Sequence, residues 1–490
     1  MITAKQQSEM LDNPTTRRRA LKAGLLAALS MLTGANMADA RNVVDGAPPD
    51  ENPLVNPRLR IAHLLRRAGF GVTKEQLNQF EAIGYEATVD FLVNYEHIED
   101  PIEERLASLD LDLAKPDHLK RWWLVRMMQT SRPLQEKMVF FWHGLLTSSL
   151  QKVGSPGLML QQNEFFRGHA LGNFQDILLG ISKDPAMLFW LDGRSNRKQH
   201  PNENYARELM ELFTMGEGHY TEQDVREAAR AFTGWTVDKE GNVSFRRQLH
   251  DPGQKTFLSH TGNFNGDDIV RILVEQRATA EYISKRLFSF FAYRDPAPEI
   301  VQSLADTYFS SGFSIKALVR EILISEAFSS ARAYRSVVKS PVDLVVSSFR
   351  LLGIATDGQG LTGPLRLMGQ DIFAPPNVAG WPGGAAWLNS STWIQRVNFG
   401  NLLANRRSRD ESASLDLQAL VQHQGISRPE ELVQYLIDHL LDGNLSPEAR
   451  QALDGYLFSN KPLTLTPSSL NQKGRDLVYL LMASPEYQLI

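Results

Sequence analysis

Helix-start signals recur along this chain at short intervals, whereas alternating strand patterns are scarce. Proline or a short polar residue precedes successive apolar segments, as at Asp117, Pro133, Ser155 and Asn173. A short polar side chain can cap the free backbone N–H groups of a helix's first turn, and proline has no backbone N–H that needs a cap there. Because 42% of the 490 residues are hydrophobic and 22% are charged, the chain can bury a large core. We predict an all-α fold, a large multi-helix globular protein with irregular loops and at most a small β-hairpin at 236–248.

The first forty residues are predicted to be a targeting segment rather than part of the fold. The sequence TRRRALK at 16–22 resembles a twin-arginine signal, an apolar run follows at 23–33, and Ala38-Asp39-Ala40 is typical of a cleavage site. The apolar run is far shorter than the roughly 20 residues that a spanning helix needs. We expect cleavage after Ala40, export to the periplasm or beyond it, and no transmembrane segment in the mature chain.

The rest of the chain divides by composition into a linker and a domain. Residues 41–56 carry Pro, Asn and Asp and are predicted to form a mobile linker. Residues 57–490 show no internal repeat and no clean boundary, which predicts a single large helical domain. If that domain has two lobes, the weakest seam is near 332–340.

Cysteine is absent, and the net charge is only −4. Without thiols the chain can form neither a disulfide nor an iron–sulfur cluster, and it cannot attach haem c. The weak negative charge gives no basic field to recruit nucleic acid, so we expect no nucleic-acid partner. The twin-arginine route is typical of proteins that fold before export, often around a cofactor. A divalent metal is therefore a possible cofactor.

The stretch 201–235 is predicted to be a helical hairpin and the centre of function. Its first helix ends at about Met215, where Gly216 offers a stop, and Thr221 with Asp224 resembles a capping box for the second. Three polar residues on the first helix share one stripe: Asn204, Glu208 and Glu211. Two interpretations are open. The stripe either faces water, with Glu203–Arg207 as a helical ion pair, or it shares a cation or a proton.

The same stretch, with motifs elsewhere, resembles the bacterial domain-of-unknown-function family 1800. The matching segments are HLLRRAGFG at 63–71, FWHGLLTSSLQKVG at 141–154, NEFFRGHALGNF at 163–174, DPAMLFWLDG at 184–193, PNENYARELMELFTMGEGHYTEQDV at 201–225, PPNVAGWPGGAAWLNSSTW at 375–393 and LMASPEYQL at 481–489. The resemblance covers nearly all of the chain after the leader. It implies no settled activity, and it implies a partner, because such proteins are often encoded beside the exported domain-of-unknown-function family 1501.

Two histidine positions are candidate ligands. His143 lies among large apolar residues of a predicted helix, where a hydrogen-bonded core histidine is the simpler interpretation. His250-Asp251 pairs two metal-ligand residue types, as in the all-α metal phosphohydrolases, but Pro252-Gly253 places the pair in a turn. A turn-stabilising aspartate beside a surface histidine is the competing interpretation. We expect this loop to pack on the hairpin.

Other catalytic signatures are missing or incomplete. The sequence has no Gly-x-Ser-x-Gly elbow, no phosphate-binding Gly-rich loop and no His-Glu-x-x-His. Ser149–Lys152 and Ser336–Lys339 both fit Ser-x-x-Lys, but no Lys-Thr-Gly accompanies them. The Trp-bearing loop 375–384 fits either a stacking surface for sugars or peptides or a wedge into the core.

Two functional hypotheses follow from these residues. In the first, the protein binds a divalent metal or a polar ligand and acts as a metal-dependent hydrolase. The predicted ligands are His143, Glu203, Glu208, His250 and Asp251, and the candidate catalytic groups are Glu208, Glu211 and His250. In the second, the protein is a non-catalytic binding or assembly partner, and its polar motifs are buried networks that specify the fold.

Overall fold

Helices carry almost all of the regular structure, which confirms the all-α prediction. The computed structural model describes residues 51–238, 240–406, 414–459 and 461–490. The predicted leader, its cleavage site and residues 41–50 lie outside the described residues. Residues Glu51–Ile490 form one compact unit. Within it Leu54 is buried and the Asn52 amide donates to the Ser329 carbonyl at 2.9 Å, so the packed chain begins before Pro57.

The helices up to the hairpin follow one another closely. They are α1 (Pro57–Gly69), α2 (Lys74–Ile83), α3 (Tyr85–Val93), α4 (Ile102–Ala107), α5 (Pro116–Gln129), α6 (Pro133–Leu145), α7 (Leu150–Val153), α8 (Pro156–Gly168), α9 (Phe174–Ile181), α10 (Pro185–Trp190), α11 (Asn204–Glu208) and α12 (Glu222–Ala231). Many begin at the predicted caps, as where the Asn173 side chain accepts from the Gln175 backbone N–H.

The second half of the chain resumes the helical pattern after two short β-hairpins. Its helices are α13 (Gly266–Val274), α14 (Arg277–Phe291), α15 (Pro298–Ser310), α16 (Ile315–Ile324), α17 (Pro341–Leu351), α18 (Thr362–Leu367), α19 (Ser390–Asn405), α20 (Leu417–His423), α21 (Pro429–Leu441), α22 (Pro447–Phe458) and α23 (Arg475–Met482). Among the described residues, no helix has both the length and the apolar character to cross a membrane.

Two small antiparallel sheets interrupt the helices. Strands β1 (Trp235–Val237) and β2 (Val243–Phe245) form the predicted hairpin. Strands β3 (Lys255–Phe257) and β4 (His260–Gly262) form a second one, outside the residues predicted to form a hairpin. Its turn residues Leu258 and Ser259 both have positive φ, 44° and 67°. Asn and Gly usually mark such a turn, so the sequence carried no signal for it.

The core is centred on aromatic side chains of α5, α6 and α9. Trp123 and Trp142 are fully buried, and Trp142 stacks on Phe174 with ring centroids 6.0 Å apart. The Trp123 indole N–H donates to the Glu136 carboxylate at 2.9 Å, and that of Trp142 donates to the Ala170 carbonyl at 3.0 Å. Both buried indole donors therefore have partners, as a closed interior requires.

The hairpin α11–α12 is fastened to the core by polar contacts at its ends. The Asn196 side chain accepts from the Asn202 backbone N–H and donates to the Ala229 carbonyl, both at 2.9 Å. On the opposite side, the Tyr282 hydroxyl of α14 donates to the Leu212 carbonyl at 2.6 Å. The surface of the hairpin is thus held in one position by residues on both sides of it.

Candidate functional site

A π-helical turn continues α11 over Leu209–Thr214, where the sequence predicted an ordinary helix. The Thr214 hydroxyl donates to the Leu209 carbonyl at 2.6 Å, and the backbone N–H groups of Met215 and Gly216 both donate to the Met210 carbonyl. Gly216, with φ of 79°, ends the helix as predicted. Short π-helical turns are rare and are found frequently at functional sites.

Glu208 and Glu211 lie at this turn, and both are half-buried. Burial, and next the nearby charge of Glu211, raise the pKa of Glu208 above its ordinary value. Glu211 accepts a hydrogen bond from the Tyr220 hydroxyl at 2.8 Å. Within the described ranges, Glu208 has no hydrogen bond or ion pair to offset its charge. The predicted stripe therefore contains one carboxylate that the fold leaves without a partner.

Glu203 is engaged differently. The Arg207 guanidinium bonds Glu203 at 3.1 Å, which confirms the predicted helical ion pair, and it also bonds both carboxylate oxygens of Glu222 at 2.7 and 2.8 Å. This bidentate contact ties α11 to the start of α12. Since Glu203 already faces a guanidinium, it is a poor metal ligand.

The loop at His250-Asp251 packs on the hairpin, as expected, through Asp251. The Asp251 carboxylate accepts from the Arg230 guanidinium at 2.7 and 3.2 Å and from the Gly253 backbone N–H at 2.8 Å. Lys255 donates to the carbonyls of Asp251 and Gly253. The bond to Arg230 is the main reason that the pKa of Asp251 is lowered. Asp251 is therefore a turn-stabilising residue with its oxygens occupied.

His250 is half-buried beside that turn. Its Nδ1 lies 2.9 Å from the Thr233 carbonyl, and its ring centroid lies 5.3 Å from that of Phe245. A carbonyl only accepts, so the neutral ring carries its proton on Nδ1 and keeps a lone pair on Nε2. The ring is thus oriented by the end of α12, and its Nε2 is chemically able to accept a bond.

His143 belongs to the core. Its Nε2 accepts from the Phe373 backbone N–H at 3.1 Å, and its ring packs between Trp123 and Trp381 at centroid distances of 5.3 and 5.6 Å. Burial lowers the pKa of His143 to about 3. The Nε2 lone pair of His143 is therefore already used by a backbone donor, and the assignment of His143 as a metal ligand stays a prediction.

The five predicted metal ligands do not assemble into one site. Across the parts of the chain that the structure describes, no three His, Asp or Glu side chains lie close enough together to hold a metal ion. Glu203, Asp251 and His143 do not share a site because each of these side chains is bonded to a different partner. What remains of the predicted site is the pair formed by Glu208, at the end of α11, and Glu211, in the π-helical turn.

The comparison with protein families gives one match over most of the chain. The family model described as protein of unknown function, DUF1800, matches residues 63–489. The chain belongs to the DUF1800 family. No curated protein and no solved structure matches it.

One buried carboxyl of this DUF1800 protein was not predicted as a site residue. Asp184, in the DPAM motif, accepts from the Met187 backbone N–H at 2.8 Å and from the Gln162 amide at 2.6 Å. Burial raises the pKa of Asp184 to about 7. Gln162 also donates to the Ser148 hydroxyl at 2.9 Å, so it joins side chains from two motif segments, 141–154 and 184–193. Aspartate before proline signals a helix cap, but nothing in the sequence signals its burial.

The Trp-bearing loop of the family is held mainly as a wedge. Trp381, the tryptophan of this loop, is half-buried with its ring centroid 5.6 Å from that of His143, and the Thr147 hydroxyl donates to the Val378 carbonyl at 2.7 Å. A Cβ on Gly380 would lie 2.6 Å from the Gly144 carbonyl oxygen, so the loop passes directly against the end of α6. These contacts favour a wedge against the core at Gly380 and Trp381, whereas Pro376, Asn377, Ala379 and Pro382 are exposed.

Proposed function

We propose that this DUF1800 protein is an exported binding protein that holds a divalent cation at Glu208 and Glu211. The observation that carries the proposal is the unpartnered, half-buried carboxylate of Glu208 beside a second carboxylate. Two like charges held together in a partly desolvated place oppose each other, and a bound cation would relieve that opposition. The π-helical turn that begins directly after Glu208 and contains Glu211 supports a functional interpretation.

The donor set decides which cation fits. Glu208 and Glu211, with the Tyr220 hydroxyl beside Glu211, are hard oxygen donors, and His143 is bonded in the core. Magnesium ions are commonly bound through one or two carboxylates while they keep several waters, and manganese and calcium share the preference for oxygen. We therefore expect magnesium, manganese or calcium rather than zinc.

Metal-dependent hydrolysis is the enzymatic form of this proposal. Glu208 would be the general base, because its raised pKa brings it closer to neutral pH, where a base works best. His250 would need to reach the same site through Nε2, whereas its Nδ1 is held by Thr233. The geometry supports binding more directly than it supports hydrolysis.

The first experiment is elemental analysis of mature protein purified after native export, with a thermal melt before and after a chelator. The proposal predicts magnesium, manganese or calcium at near one equivalent and a melting temperature that falls with chelation. The Glu208→Gln variant should lose the metal and the chelator effect, whereas Glu217→Gln, at an exposed neighbouring position, should keep both. Metal-free protein with a chelator-insensitive melt would count against the proposal.

A second function is favoured by the internal pairing of the other polar motif residues. Arg207 bonds Glu203 and Glu222. Arg230 bonds Asp251, so these charged groups are paired within the hairpin and its neighbouring loop. This is the pattern of a network that specifies a fold. We propose, as the alternative, a non-catalytic partner of an exported protein of the DUF1501 family. Co-purification of the two from one periplasm tests this; their failure to associate would leave cation binding as the single proposal.

A further inference from the structure

A cavity of about 310 Å³ lies between α1, α2 and α21, and none of its lining residues belongs to the hairpin or its covering loop. Its floor is an ion pair: the Arg66 guanidinium binds both oxygens of Asp442 at 2.7 and 2.5 Å. Arg335 bonds the same carboxylate at 3.0 Å. Two buried guanidinium groups thus face one carboxylate, and the floor carries an excess positive charge.

Two charged side chains that line the cavity, Lys74 and Asp438, are not part of an ion pair in the described part of the chain. The Lys74 Nζ lies 4.6 Å from the centroid of the Tyr435 ring, and Asp438 accepts from the Gln434 amide at 2.7 Å. Neither Lys74 nor Asp438 forms an ion pair with any described residue. The cavity therefore offers one cation and one anion that are both free to meet a ligand.

Apolar and aromatic side chains form part of the remaining wall, beside Arg58 and Asn78. Val72, Leu77 and Leu351 line it, and the Tyr435 ring stacks on His439 with centroids 5.9 Å apart. His439 Nε2 donates to the Leu351 carbonyl at 2.7 Å, which fixes the ring against the wall. Small-molecule sites combine apolar and aromatic side chains with a few placed polar or charged groups, and the volume of this cavity is at the lower end of their range.

We propose that this cavity binds a small zwitterion, a free α-amino acid with an apolar side chain. Lys74 and the positively charged floor at Arg66 would receive the carboxylate, and Asp438 would receive the ammonium group. The side chain of the ligand would lie against Val72 and Tyr435. A simple anion would leave Asp438 facing it, and a simple cation would face Lys74, so each would meet one repulsive group.

Isothermal titration calorimetry with matched probes tests this proposal. The probes are L-phenylalanine, L-leucine, 3-phenylpropionate, which lacks the ammonium group, and 2-phenylethylamine, which lacks the carboxylate. At least one amino acid should bind at least tenfold more tightly than either single-charge analogue. Absence of binding by both amino acids at millimolar concentration would overturn the proposal, as would equal binding of all four probes.

Two variants separate the two charges. Lys74→Met should weaken amino-acid binding at least tenfold and leave 2-phenylethylamine binding unaffected or tighter, whereas Asp438→Asn should weaken amino-acid binding and leave 3-phenylpropionate binding unaffected or tighter. Lys115→Met is the matched control, because Lys115 is exposed and does not line the cavity. Lys74, Asp438 and Lys115 all lie at the surface, so we expect all three variants to fold. Unchanged amino-acid binding in Lys74→Met would overturn the proposal.

Discussion

Single residues with displaced pKa values give this protein two opposed responses to pH. Asp184 and His143 are both buried, but burial keeps the carboxyl protonated and the imidazole unprotonated. As pH rises, Asp184 makes folding less favourable and His143 makes it more favourable. A wild-type stability curve alone mixes the two, so each response is tested in its own variant.

Replacing Asp184 should stabilise the protein at neutral and higher pH. The unfolded carboxyl loses its proton near pH 4, whereas folded Asp184 keeps its proton up to about pH 7. Between these values the folded state binds more protons, so stability falls as pH rises. We expect Asp184→Asn to gain up to about 4 kcal/mol over wild type above pH 7 and to gain nothing from this source below pH 4. Urea denaturation across that range measures it.

The control for this prediction is Asp176→Asn, an exposed aspartate on the neighbouring helix α9. It should follow the wild-type curve at every pH. A constant loss of stability in Asp184→Asn, with the same pH dependence as wild type, would show that Asp184 is ionised in the folded state.

His143 should make the protein sensitive to acid. Its folded pKa is about 3, whereas an unfolded histidine titrates near pH 6.5. Between these values the unfolded state binds more protons, so stability falls as pH decreases. His143→Gln keeps an acceptor near Nε2 and removes the titration, so its stability should decline less steeply below pH 6.5. Urea denaturation of the control His219→Gln, at an exposed site, should show the wild-type dependence of stability on pH. The same dependence in His143→Gln would show that His143 does not cause the acid sensitivity.

At the scale of elements, the loop 250–255 is held against α12 by the Arg230 guanidinium and by Thr233, whose hydroxyl accepts from the Asp251 backbone N–H at 2.8 Å. Arg230 bonds Asp251 and Glu227, and it also donates to the Gln254 carbonyl at 3.2 Å. We expect Arg230→Met to cost about 1–3 kcal/mol, because it removes charged hydrogen bonds from a partly buried loop. Hydrogen exchange should show faster opening of this loop.

Arg226→Met is the matched control on the same helix. Arg226 is exposed and bonds only the Gln223 side chain among the described residues. Its loss should change stability by less than about 0.5 kcal/mol. Equal effects of the two substitutions would mean that the loop is held by its backbone alone.

Elements were predictable wherever a local signal determines them. The Thr221–Asp224 capping box, the stop at Gly216 and the hairpin β1–β2 were all predicted and are confirmed. The π-helical turn was missed because Leu209, Leu212 and Phe213 fit an ordinary helical period equally well. The turn at Leu258 was missed because its fixing contact, the backbone N–H to Asp224 at 2.8 Å, joins residues far apart in the sequence.

At the scale of the whole molecule, the HLLRRAGFG motif joins distant segments. Arg67 donates to the carbonyls of Phe291 and Ala292 at the end of α14, at 2.6 and 2.9 Å. Arg66 reaches Asp442 after α21, and Arg335 shares that carboxylate. The sequence could show this motif but not its partners, which lie hundreds of residues away along the chain.

Asp442→Asn should destabilise the whole fold by about 3–5 kcal/mol, because it leaves two buried guanidinium groups without a counter-charge. Asparagine tolerates the left-handed backbone at this position, where φ is 56°, so the charge is the main change. Guanidinium denaturation measures the loss. Asp306→Asn removes an ion-paired aspartate whose side chain is 73% exposed, and it should cost less than about 1 kcal/mol. Similar losses in both would contradict the role of this buried cluster.

The candidate site shows the same limit of prediction. Spacing along one helix placed Glu208 and Glu211 on one stripe and paired Glu203 with Arg207, and both statements agree with the structure. Spacing could not show that Asp251 would be taken by Arg230, or that the Phe373 backbone would occupy His143. Those partners come from other elements, so only the folded chain decides which polar residues stay free.

The most direct test of the central claim is calorimetric titration of magnesium, manganese and calcium into the metal-free protein at pH 5.5 and 7.5. We predict one site that binds at least one of these ions, more tightly at pH 7.5, because Glu208 must lose its proton to bind. Glu208→Gln should weaken binding at least tenfold, and Glu217→Gln should leave it unchanged. No binding of any of the three ions, or equal binding by Glu208→Gln and wild type, would contradict the account.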